Sequence, residues 1–308
     1  MLETVFNSVT TFGSNLVASI LSLAKVLLRS KWGVQLPARQ QPRCSVLGNG
    51  PSLNDSLANQ LDFLLDTELV CVNAFATSNY FTRLRPANYV IADPNCFVFD
   101  ETTTGREDLH QLLKALITQV DWPMRLFIPH FARGSYFIRR VETGNPRIEL
   151  VYYNPTVVRG FAPFRHWLYK ANLGMLQANT VVVTALFLMI NRKFDQIFLF
   201  GADTSWHEQI RISDDNQLQI KQLHFYDKPK DVAFMPVYSD AHRTRTFTMA
   251  SQFLSFHKVF RGYEVLREYA DYRHVRVLNA STKSYIDALE RVVLNQPVSQ
   301  PEQTQGRD

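Results

Sequence analysis

Short apolar runs alternate with amphipathic or turn-rich segments along most of the chain from residue 43 onward. Short runs of mostly apolar residues are typical of strands covered on both faces, and the segments between them have the length and spacing of helices. The pattern predicts an α/β protein with a three-layer, Rossmann-like, mostly parallel sheet. The predicted strands are Arg43–Leu47, Glu68–Val72, Tyr89–Ala92, Arg125–Pro129, Glu149–Tyr153, Gln196–Phe200 and Arg273–Leu278.

The intervening segments predict helices at Leu53–Leu65, Glu107–Gln119, Thr180–Asn191 and Thr246–Arg261. Two stretches lack such spacing: residues 133–174 are rich in aromatic residues, Arg and Pro, and residues 203–239 are mostly polar. Long connections of this kind often carry function, so both are predicted to lie over the carboxyl edge of the sheet. We assign residues 43–294 to one domain and residues 203–245 to its lid.

An amphipathic helix is predicted before this domain, within residues 1–35. Residues 4–28 contain one charged residue, Lys25, among many Ser, Thr and Asn residues, which argues against a transmembrane span and against a signal peptide with a basic start. Their apolar residues recur at helical spacing on one side of the helix, with polar residues on the other. The apolar positions are Val5, Phe6, Val9, Phe12, Leu16, Val17, Ile20, Leu23, Ala24 and Leu27.

This helix is predicted to lie on a membrane surface. Arg29, Lys31 and Trp32 follow its end, and cationic and aromatic residues are common where a helix lies in a bilayer interface. We therefore expect a cytoplasmic protein that is peripheral at the inner membrane. The alternative is a helix that packs on the domain or on a second copy of the chain in a homo-oligomer.

The composition is that of a globular protein, because 46% of the 308 residues are hydrophobic. Cys44, Cys71 and Cys96 are interpreted as core residues in a reducing compartment. A net charge of +5 with scattered Lys and Arg carries no nucleic-acid-binding signature and favours an anionic substrate or membrane surface. The Gln- and Pro-rich tail, residues 295–308, is predicted to be disordered.

A Gly-rich turn, Leu-Gly-Asn-Gly-Pro-Ser-Leu from Leu47 to Leu53, joins the first strand to a helix. Gly48 and Gly50 allow a close approach to a ligand, and Ser52 or Asn54 is a candidate N-cap for a helix whose N–H groups favour an anion. The turn lacks the Lys of a P-loop and the third Gly of a dinucleotide-binding turn, so it indicates neither an ATPase nor an NAD enzyme. The alternative is an ordinary strand–helix turn.

Polar residues also follow other predicted strands. Asn49 follows the first strand, Asn73 the second, Asp93 the third, and Gly201 and Asp203 the sixth. Since the carboxyl ends of parallel strands meet at one edge of the sheet, we expect these residues to line a shared crevice. Amide side chains offer the donors and acceptors needed to bind a base and a ribose, although any one of these residues alone is more often a turn former.

The ordered set of segments resembles the bacterial family 42 sialyltransferases and the related hydroxymethylpterin diphosphokinase-like proteins. Each motif is moderately specific, and the set is more specific because its order is kept from Arg43 to Ile286. The resemblance implies a sialyltransferase-like fold and a nucleotide-sugar donor. The resembling segments are Val46–Leu53, Val70–Asn73, Val90–Pro94, Asn179–Thr180, Gln196–Asp203 and a late His-containing stretch.

The resemblance implies that Asn49 and Asn73 contact the cytidine nucleotide. A third Asn of the family falls near Asp93, so the chain departs from the family there. Asn179 and Thr180 match the start of the family's apolar helix, although the residue after Thr180 is Val rather than Ser. These residues are the predicted nucleotide contacts, together with the Gly-rich turn.

The resemblance also implies a phosphate-binding Tyr, matched by Tyr226, and a catalytic His. Counting back from the helix that begins near Ala250 places this His at His242, beside Arg243 as a candidate phosphate contact. A His is suited to take the proton of an acceptor hydroxyl near neutral pH. The competing candidates for the base are His207 and His224.

These features predict a glycosyltransferase that moves a sugar from a CMP-linked, nonulosonate-type donor to a surface-polysaccharide or lipid-linked acceptor. This interpretation makes no cofactor certain and leaves Mg²⁺ open, because a CMP donor has a single phosphate and less need of a bridging divalent ion than a diphosphate donor. One alternative is an ATP-dependent diphosphokinase acting on a pterin alcohol, with Mg²⁺ held by Asp93 and Asp203. Another is a non-catalytic nucleotide-binding scaffold.

Overall fold

The structure is a computed structural model that describes residues 2–228, 230–239 and 244–294, with side chains from residue 8 onward. The predicted disordered tail, residues 295–308, lies outside the described residues. The strands are β1 Arg43–Leu47, β2 Glu68–Val72, β3 Asn88–Val90, β4 Met124–Pro129, β5 Ile148–Tyr153, β6 Gln196–Phe200, β7 Ile210–Ile212, β8 Leu218–Ile220, β9 Met235–Pro236, β10 Arg276–Asn279 and β11 Glu290–Arg291. The helices are α1 Leu2–Arg29, α2 Leu53–Asn59, α3 Leu61–Leu65, α4 Phe81–Leu84, α5 Asn95–Val98, α6 Glu107–Gln119, α7 Tyr136–Gly144, α8 Ala162–Lys170, α9 Val181–Asn191 and α10 Met249–Tyr272.

The central sheet has eight strands in the order β11-β10-β6-β1-β2-β3-β4-β5, and every pairing in it is parallel. The chain builds the sheet outward from β1 to β5 and then returns to the other side of β1 with β6. The direction of sheet growth therefore reverses between β1 and β6. The predicted α/β class and mostly parallel sheet are confirmed.

Two hydrophobic clusters cover the two faces of this sheet. In β2, Val70 and Val72 face the cluster that contains α9 and α10, while Leu69 and Cys71 face the cluster that contains α6 and α7. Successive side chains of a strand point to opposite faces, so an unbroken apolar run is what a strand between two helical layers requires. The three cysteines are free and buried, as predicted.

Several predicted boundaries differ from the structure. The predicted helix Leu53–Leu65 is interrupted at Gln60, whose backbone is not helical, and forms α2 and α3. The helix predicted to end at Arg261 continues to Tyr272, so the last predicted strand begins at Arg276 instead of Arg273. Buried residues recur along α10 from Gln252 to Ala270, so tertiary packing stabilises the helix beyond Arg261. Polar residues between them make the helical spacing of the buried positions hard to recognise in the sequence.

Residues 133–174 contain more regular structure than predicted. Besides the predicted strand, which is confirmed as β5, they contain α7, which ends at Gly144, and α8 with Pro163 in its first turn. In α7 the buried residues are Phe137, Ile138 and Val141. In so short a helix, three apolar positions among charged residues are too few to reveal a helical period in the sequence. The polar excursion after Asp203 also contains regular structure, a three-stranded antiparallel sheet in the order β7-β8-β9.

The predicted N-terminal helix is confirmed as α1. It packs on the domain through the side on which Ser22, Val26 and Ser30 are buried, and most of its large apolar side chains are exposed. The Ser8–Arg29 part is long and apolar enough to cross a membrane by length and composition. The alternative prediction, that this helix packs on the domain, is thus correct for one side of α1.

Candidate functional site

A cavity of about 770 Å³ opens at the carboxyl edge of the sheet, at the strand ends of β1, β2, β3 and β6. The reversal between β1 and β6 is the kind of switch point at which parallel α/β sheets bind ligands. The structure brings eight of the predicted site residues into the lining of this cavity. They are Asn49, Gly50, Asn73, Asp93, Asn179, Thr180, Gly201 and Asp203.

The Gly-rich turn after β1 packs against the loop after β6. The Gly48 N–H donates to the Phe200 carbonyl at 2.8 Å, and the Gly50 N–H donates to the Gly201 carbonyl at 2.8 Å. A Cβ on Gly50 would lie 2.2 Å from Asp203 Oδ1 and 2.7 Å from the Gly201 oxygen. The absence of a side chain at Gly50 is therefore needed for the contact between two loops, whereas the sequence pattern had suggested an approach to a ligand.

Asp203 places a carboxylate at the start of α2. Its Oδ1 accepts from the Ser52 hydroxyl at 2.6 Å, and its Oδ2 accepts from the Ser52 N–H at 3.2 Å. Ser52 makes no side-chain cap to its own helix. The anion expected at this helix start is thus an internal carboxylate. Burial raises the pKa of Asp203 above its ordinary value, against the opposing effect of the hydrogen bonds from Ser52.

Asn49 joins the ends of β1 and β2 and leaves one polar atom unsatisfied. Its amide nitrogen donates to the Val72 carbonyl at 3.1 Å. Its Oδ1 is buried and has no hydrogen-bond partner within the described part of the chain. A buried acceptor without a partner costs about 1–3 kcal/mol, so a ligand that donates a hydrogen bond here would recover that energy.

Asn73 and Asp93 are the polar residues that follow β2 and β3. Asn73 has a positive φ of 44°, and its Oδ1 accepts from the Ala92 N–H at 3.3 Å, which links the ends of β2 and β3. Asp93 Oδ1 accepts from the backbone and side-chain nitrogens of Asn95 at 2.9 and 2.8 Å, at the start of α5. The strand-end polar residues therefore bond to neighbouring loops as well as lining the cavity.

The start of α9 forms another part of the cavity wall. Thr180 caps this helix, because its hydroxyl oxygen accepts from the Val183 N–H at 3.3 Å. Val181 and Val182, the first residues of the helix, also line the cavity. The hydroxyl of Tyr263 on α10 is hydrogen-bonded to Thr180 and Thr204, and burial raises the pKa of Tyr263 to about 12. The positive end of the α9 dipole thus faces the cavity and favours an anion.

Two lysines line the cavity as well. Lys283 forms an ion pair with Glu208 at 2.6 Å, and the Tyr285 hydroxyl donates to the same carboxylate. This cluster connects the loop after β6 to the segment after β10. The second lysine, Lys221, lies just after β8. Lys221 and the helix start suit a phosphate or carboxylate ligand, whereas the charge of Lys283 is balanced by Glu208, which also lines the cavity.

His224 lines the cavity and is paired with Asp227. Its Nδ1 lies 3.0 Å from Asp227 Oδ2, which also accepts from the His224 backbone N–H at 2.8 Å. The adjacent Phe225 N–H donates to the Asn49 carbonyl at 2.9 Å, so this segment is attached to the end of β1. A carboxylate on Nδ1 orients the ring and leaves Nε2 as the nitrogen available for proton transfer.

The remaining predicted residues lie elsewhere. Tyr226 stacks on His224 with ring centroids 5.1 Å apart, packs against the core and is outside the cavity lining. His207 packs against Tyr285, also outside the lining. His242 and Arg243 lie outside the described residues, so the predicted base and its neighbour have no described position.

No group of three or more His, Cys, Asp and Glu residues is placed to hold a metal ion within residues 2–228, 230–239 and 244–294. Asp93 and Asp203, the carboxylates proposed as Mg²⁺ ligands for a diphosphokinase, accept hydrogen bonds from Asn95 and Ser52 respectively.

Sequence reasoning missed Lys221, Lys283 and Tyr263 as lining residues. Lys283 had a usable signal, because it follows a predicted strand in the polar sequence Ser281-Thr-Lys-Ser284. Tyr263 lies in the middle of a helix, and nothing in its local sequence indicates that its hydroxyl reaches the cavity.

No family model and no curated protein matches the chain. Among solved structures, the chain is similar to the structure of MAf glycosyltransferase from Magnetospirillum magneticum AMB-1, with 12% identity and a TM-score of 0.48. The match covers 87% of this chain and 36% of that chain, so the present chain spans about a third of its neighbour's length. A similarity of this size establishes no shared activity.

Proposed function

We propose that the protein is a glycosyltransferase that transfers a nonulosonate-type sugar from a CMP-linked donor to a surface-polysaccharide or lipid-linked acceptor. The proposal is carried by the cavity at the switch point between β1 and β6, whose lining combines the amides of Asn49, Asn73 and Asn179 with Lys221, Lys283 and the start of α9. The lining also holds the carboxylates of Asp93, Asp203 and Glu208, which are bonded to Asn95, Ser52 and Lys283 respectively. The combination of amides and positive charge suits a nucleotide whose base and ribose need hydrogen bonds and whose phosphate needs positive charge. The donor class comes from the sialyltransferase-like order of motifs.

The donor would lie across the cavity. The unpaired Oδ1 of Asn49 suits an N–H donor such as the exocyclic amine of cytosine. The phosphate and the sugar carboxylate would lie toward the start of α9, Lys221 and Lys283. A monophosphate donor can be held by such cationic groups and helix N–H groups.

The transfer needs a base. It takes the proton of the acceptor hydroxyl, whose oxygen forms a bond to the anomeric carbon of the sugar. The bond between that carbon and the phosphate oxygen breaks, and its electron pair leaves with CMP. His242 is the base by sequence register, and His224 with Asp227 is the alternative that lines the cavity.

Thermal unfolding with CMP, UDP, GDP or ATP, each with and without Mg²⁺, tests the nucleotide class. We expect CMP to raise the Tm most and without Mg²⁺, since a ligand at 100 times its Kd stabilises the native state by about 2.7 kcal/mol. Stabilisation by ATP alone, and only with Mg²⁺, would contradict the proposal and favour the diphosphokinase.

The release of CMP from a CMP-linked nonulosonate in the presence of acceptor tests the base. His242→Ala should reduce turnover by about 10²- to 10⁴-fold with donor binding retained. His224→Ala and Asp227→Asn test the alternative, and His257→Ala, an exposed residue of α10 outside the cavity, is the matched control. Full turnover in both the His242 and His224 variants would exclude either residue as the base.

A further inference from the structure

The polar side of α1 is bonded to the segment that follows β5. Ser22 Oγ accepts from the Arg159 N–H at 2.9 Å, and Ser19 Oγ accepts from the Phe161 N–H at 3.2 Å. The hydroxyl of Ser30 donates to Thr156 Oγ1 at 2.8 Å. These serines are three to eleven residues apart at helical spacing, so they form one stripe along the helix.

Close backbone contact fixes the same side. Gly160 has a φ of 111°, and a Cβ there would lie 2.1 Å from Ser19 Oγ and 2.8 Å from the Ser19 nitrogen. Only a residue without a side chain allows the segment to approach α1 this closely. At the end of the helix, Asn154 Oδ1 accepts from the Lys31 N–H at 2.8 Å, and its amide nitrogen donates to the Lys31 carbonyl at 2.8 Å.

The opposite side of α1 is apolar and exposed. Ile20 is 60% exposed and Leu28 is 85% exposed, and the Ser8–Arg29 part of the helix has a mean hydropathy of 1.5 over its most apolar window. Contiguous exposed apolar surface of this extent marks an interaction site. The exposed large apolar side chains of α1 are Val9, Phe12, Leu16, Val17, Ile20, Leu21, Leu23, Leu27 and Leu28.

Positive charge predominates around this surface, although Glu3 lies at the start of α1 and Glu268 pairs with Arg165. No Asp or Glu occurs from Thr4 to Asn54, or from Leu150 to Phe194, the two parts of the sequence that meet where α1 contacts the domain. Within the described residues, no carboxylate lies at ion-pair distance from Lys25, Arg29 or Lys31 at the end of α1. A second copy of this chain would bring the same positive charge to the interface, whereas an anionic lipid surface would neutralise it.

We propose that α1 is an in-plane anchor for an anionic membrane: its apolar side inserts into the bilayer interface while its serine stripe stays bound to the domain. A spanning orientation would require the helix to leave the domain and would expose the serines and the segment around Gly160. Interfacial helices of this kind bind through buried apolar area and electrostatic attraction to anionic lipids. The proposal stands independently of the reaction at the cavity.

The attachment also connects the membrane with the cavity. The segment that α1 contacts pairs with Met175 through Val158, whose N–H donates to the Met175 carbonyl at 2.9 Å. A few residues later the chain reaches Ala178 and Thr180 in the cavity wall. A membrane-bound α1 therefore lies one loop away from the start of α9.

Flotation of the full chain with vesicles tests the surface. We expect binding to phosphatidylglycerol-containing vesicles and at least tenfold weaker binding to pure phosphatidylcholine. The fourfold variant Leu16→Gln, Ile20→Gln, Leu23→Gln and Leu27→Gln should lose at least tenfold in affinity for the anionic vesicles. Gln keeps helix propensity, and the control Thr11→Gln with Ser14→Gln changes exposed polar positions of the same helix and should bind as the wild type.

Depth measurements distinguish in-plane from spanning helices. Single cysteines at Leu16→Cys, Ile20→Cys and Leu27→Cys, and at Thr11→Cys, Ser14→Cys and Lys25→Cys, carry a polarity-sensitive fluorophore, and the native cysteines are buried. We expect only the apolar-side probes to report lipid, so that the signal follows the helical period. Lipid contact at both sides from residue 14 to 25 would show a spanning helix and overturn the proposal.

Two further outcomes would also overturn it. If the fourfold variant binds anionic vesicles as tightly as the control, the apolar side is not the membrane surface. If light scattering shows a stable dimer that the fourfold variant abolishes, and neither protein floats with vesicles, the occupant is a second copy of the chain. Circular dichroism of each variant verifies that α1 and the domain remain folded.

Discussion

The starts of α2 and α9 are both next to residues that line the cavity, but their first backbone N–H groups have different hydrogen-bond partners. The start of α2 receives the carboxylate of Asp203 through Ser52. The start of α9 is capped by Thr180, and its first residues line the open cavity. Both are helix starts with a positive dipole end, but only the one at α9 faces space for an external anion.

The difference shows that a Gly-rich turn before a helix does not by itself mark a phosphate site. At α2 the loop after β6 packs so closely on the turn that it supplies the anion from within the protein. At α9 the cap is the hydroxyl of Thr180, and no carboxylate is bonded to the helix start within the described residues, although Glu208 balances the charge of Lys283 elsewhere in the cavity lining. Substitutions at or near each helix start test this difference.

The largest effect is expected from Gly50→Ala. The added Cβ would lie 2.2 Å from Asp203 Oδ1 and 2.7 Å from the Gly201 oxygen, so the two loops must separate. We expect a loss of about 3 kcal/mol in the free energy of unfolding, measured by urea denaturation. Gly13→Ala, in an exposed part of α1 with no atom within 4 Å, is the control and should be neutral or stabilising. Equal stability of Gly50→Ala and the wild type would contradict the close contact.

Asp203→Ala is expected to cost about 2 kcal/mol at neutral pH, because it leaves the buried N–H and hydroxyl of Ser52 without an acceptor. Asp203→Asn keeps an acceptor and should be less destabilising. The same urea measurement compares the two variants.

These variants also predict a pH dependence. The pKa of Asp203 is raised by burial above its ordinary 3.8, so the folded state binds the proton more tightly than the unfolded state. The wild type should therefore lose stability relative to Asp203→Asn as the pH rises from near 4 through the folded-state pKa. A difference that does not change with pH would show that the carboxylate is not desolvated.

Thr180→Ala removes the cap of α9 and its hydrogen bond with Tyr263. We expect a stability loss of about 1 kcal/mol and a CMP affinity about fivefold weaker, measured by calorimetry. Thr248→Ala removes the corresponding cap of α10, away from the cavity, and is the matched control. It should lose similar stability and keep its CMP affinity. Equal losses of CMP affinity in both variants would contradict the proposal that the start of α9 contacts the ligand.

The smallest effect is expected from Asn49→Ala. It removes one bond to the Val72 carbonyl and the unpaired buried Oδ1, so the stability should change little. The loss of one ligand hydrogen bond should weaken CMP binding by about 1 kcal/mol, or roughly fivefold. Asn59→Ala, an exposed amide that donates to the Asp55 carbonyl outside the cavity, is the control. Unchanged CMP affinity in Asn49→Ala would exclude Asn49 as a nucleotide contact.

Much of the fold could be predicted because it depends on local patterns. The bounds of β1, β2, β6 and α6 agree with the structure to the residue. The strands are short, mostly apolar runs, and α6 carries its buried residues at a period near 3.6. Elements such as α7 and the β7-β8-β9 sheet were missed, because they are short and bury only a few side chains.

The site was predictable in position more than in detail. Parallel pairing brings the carboxyl ends of the strands together, so strand-end residues such as Asn49, Asn73 and Asp93 line one cavity. The contribution of Tyr263 depends on how α10 crosses α9, and no local spacing records that crossing. The pairing of His224 with Asp227 is a short-range contact, but its place at the cavity depends on the bond from Phe225 to the end of β1.

By itself the sequence determined the layered α/β architecture, the strand ends and the apolar side of α1, because burial of neighbouring side chains follows periods of two or 3.6 residues. Only the tertiary structure decided which partner each polar group takes. Ser52 and Asp203 are 151 residues apart, and Ser22 and Arg159 are 137 residues apart. A polar group bonds to any suitable partner that packing brings near it, so the sequence predicted a polar side of α1 and only the structure showed that its serines hold the helix to the domain.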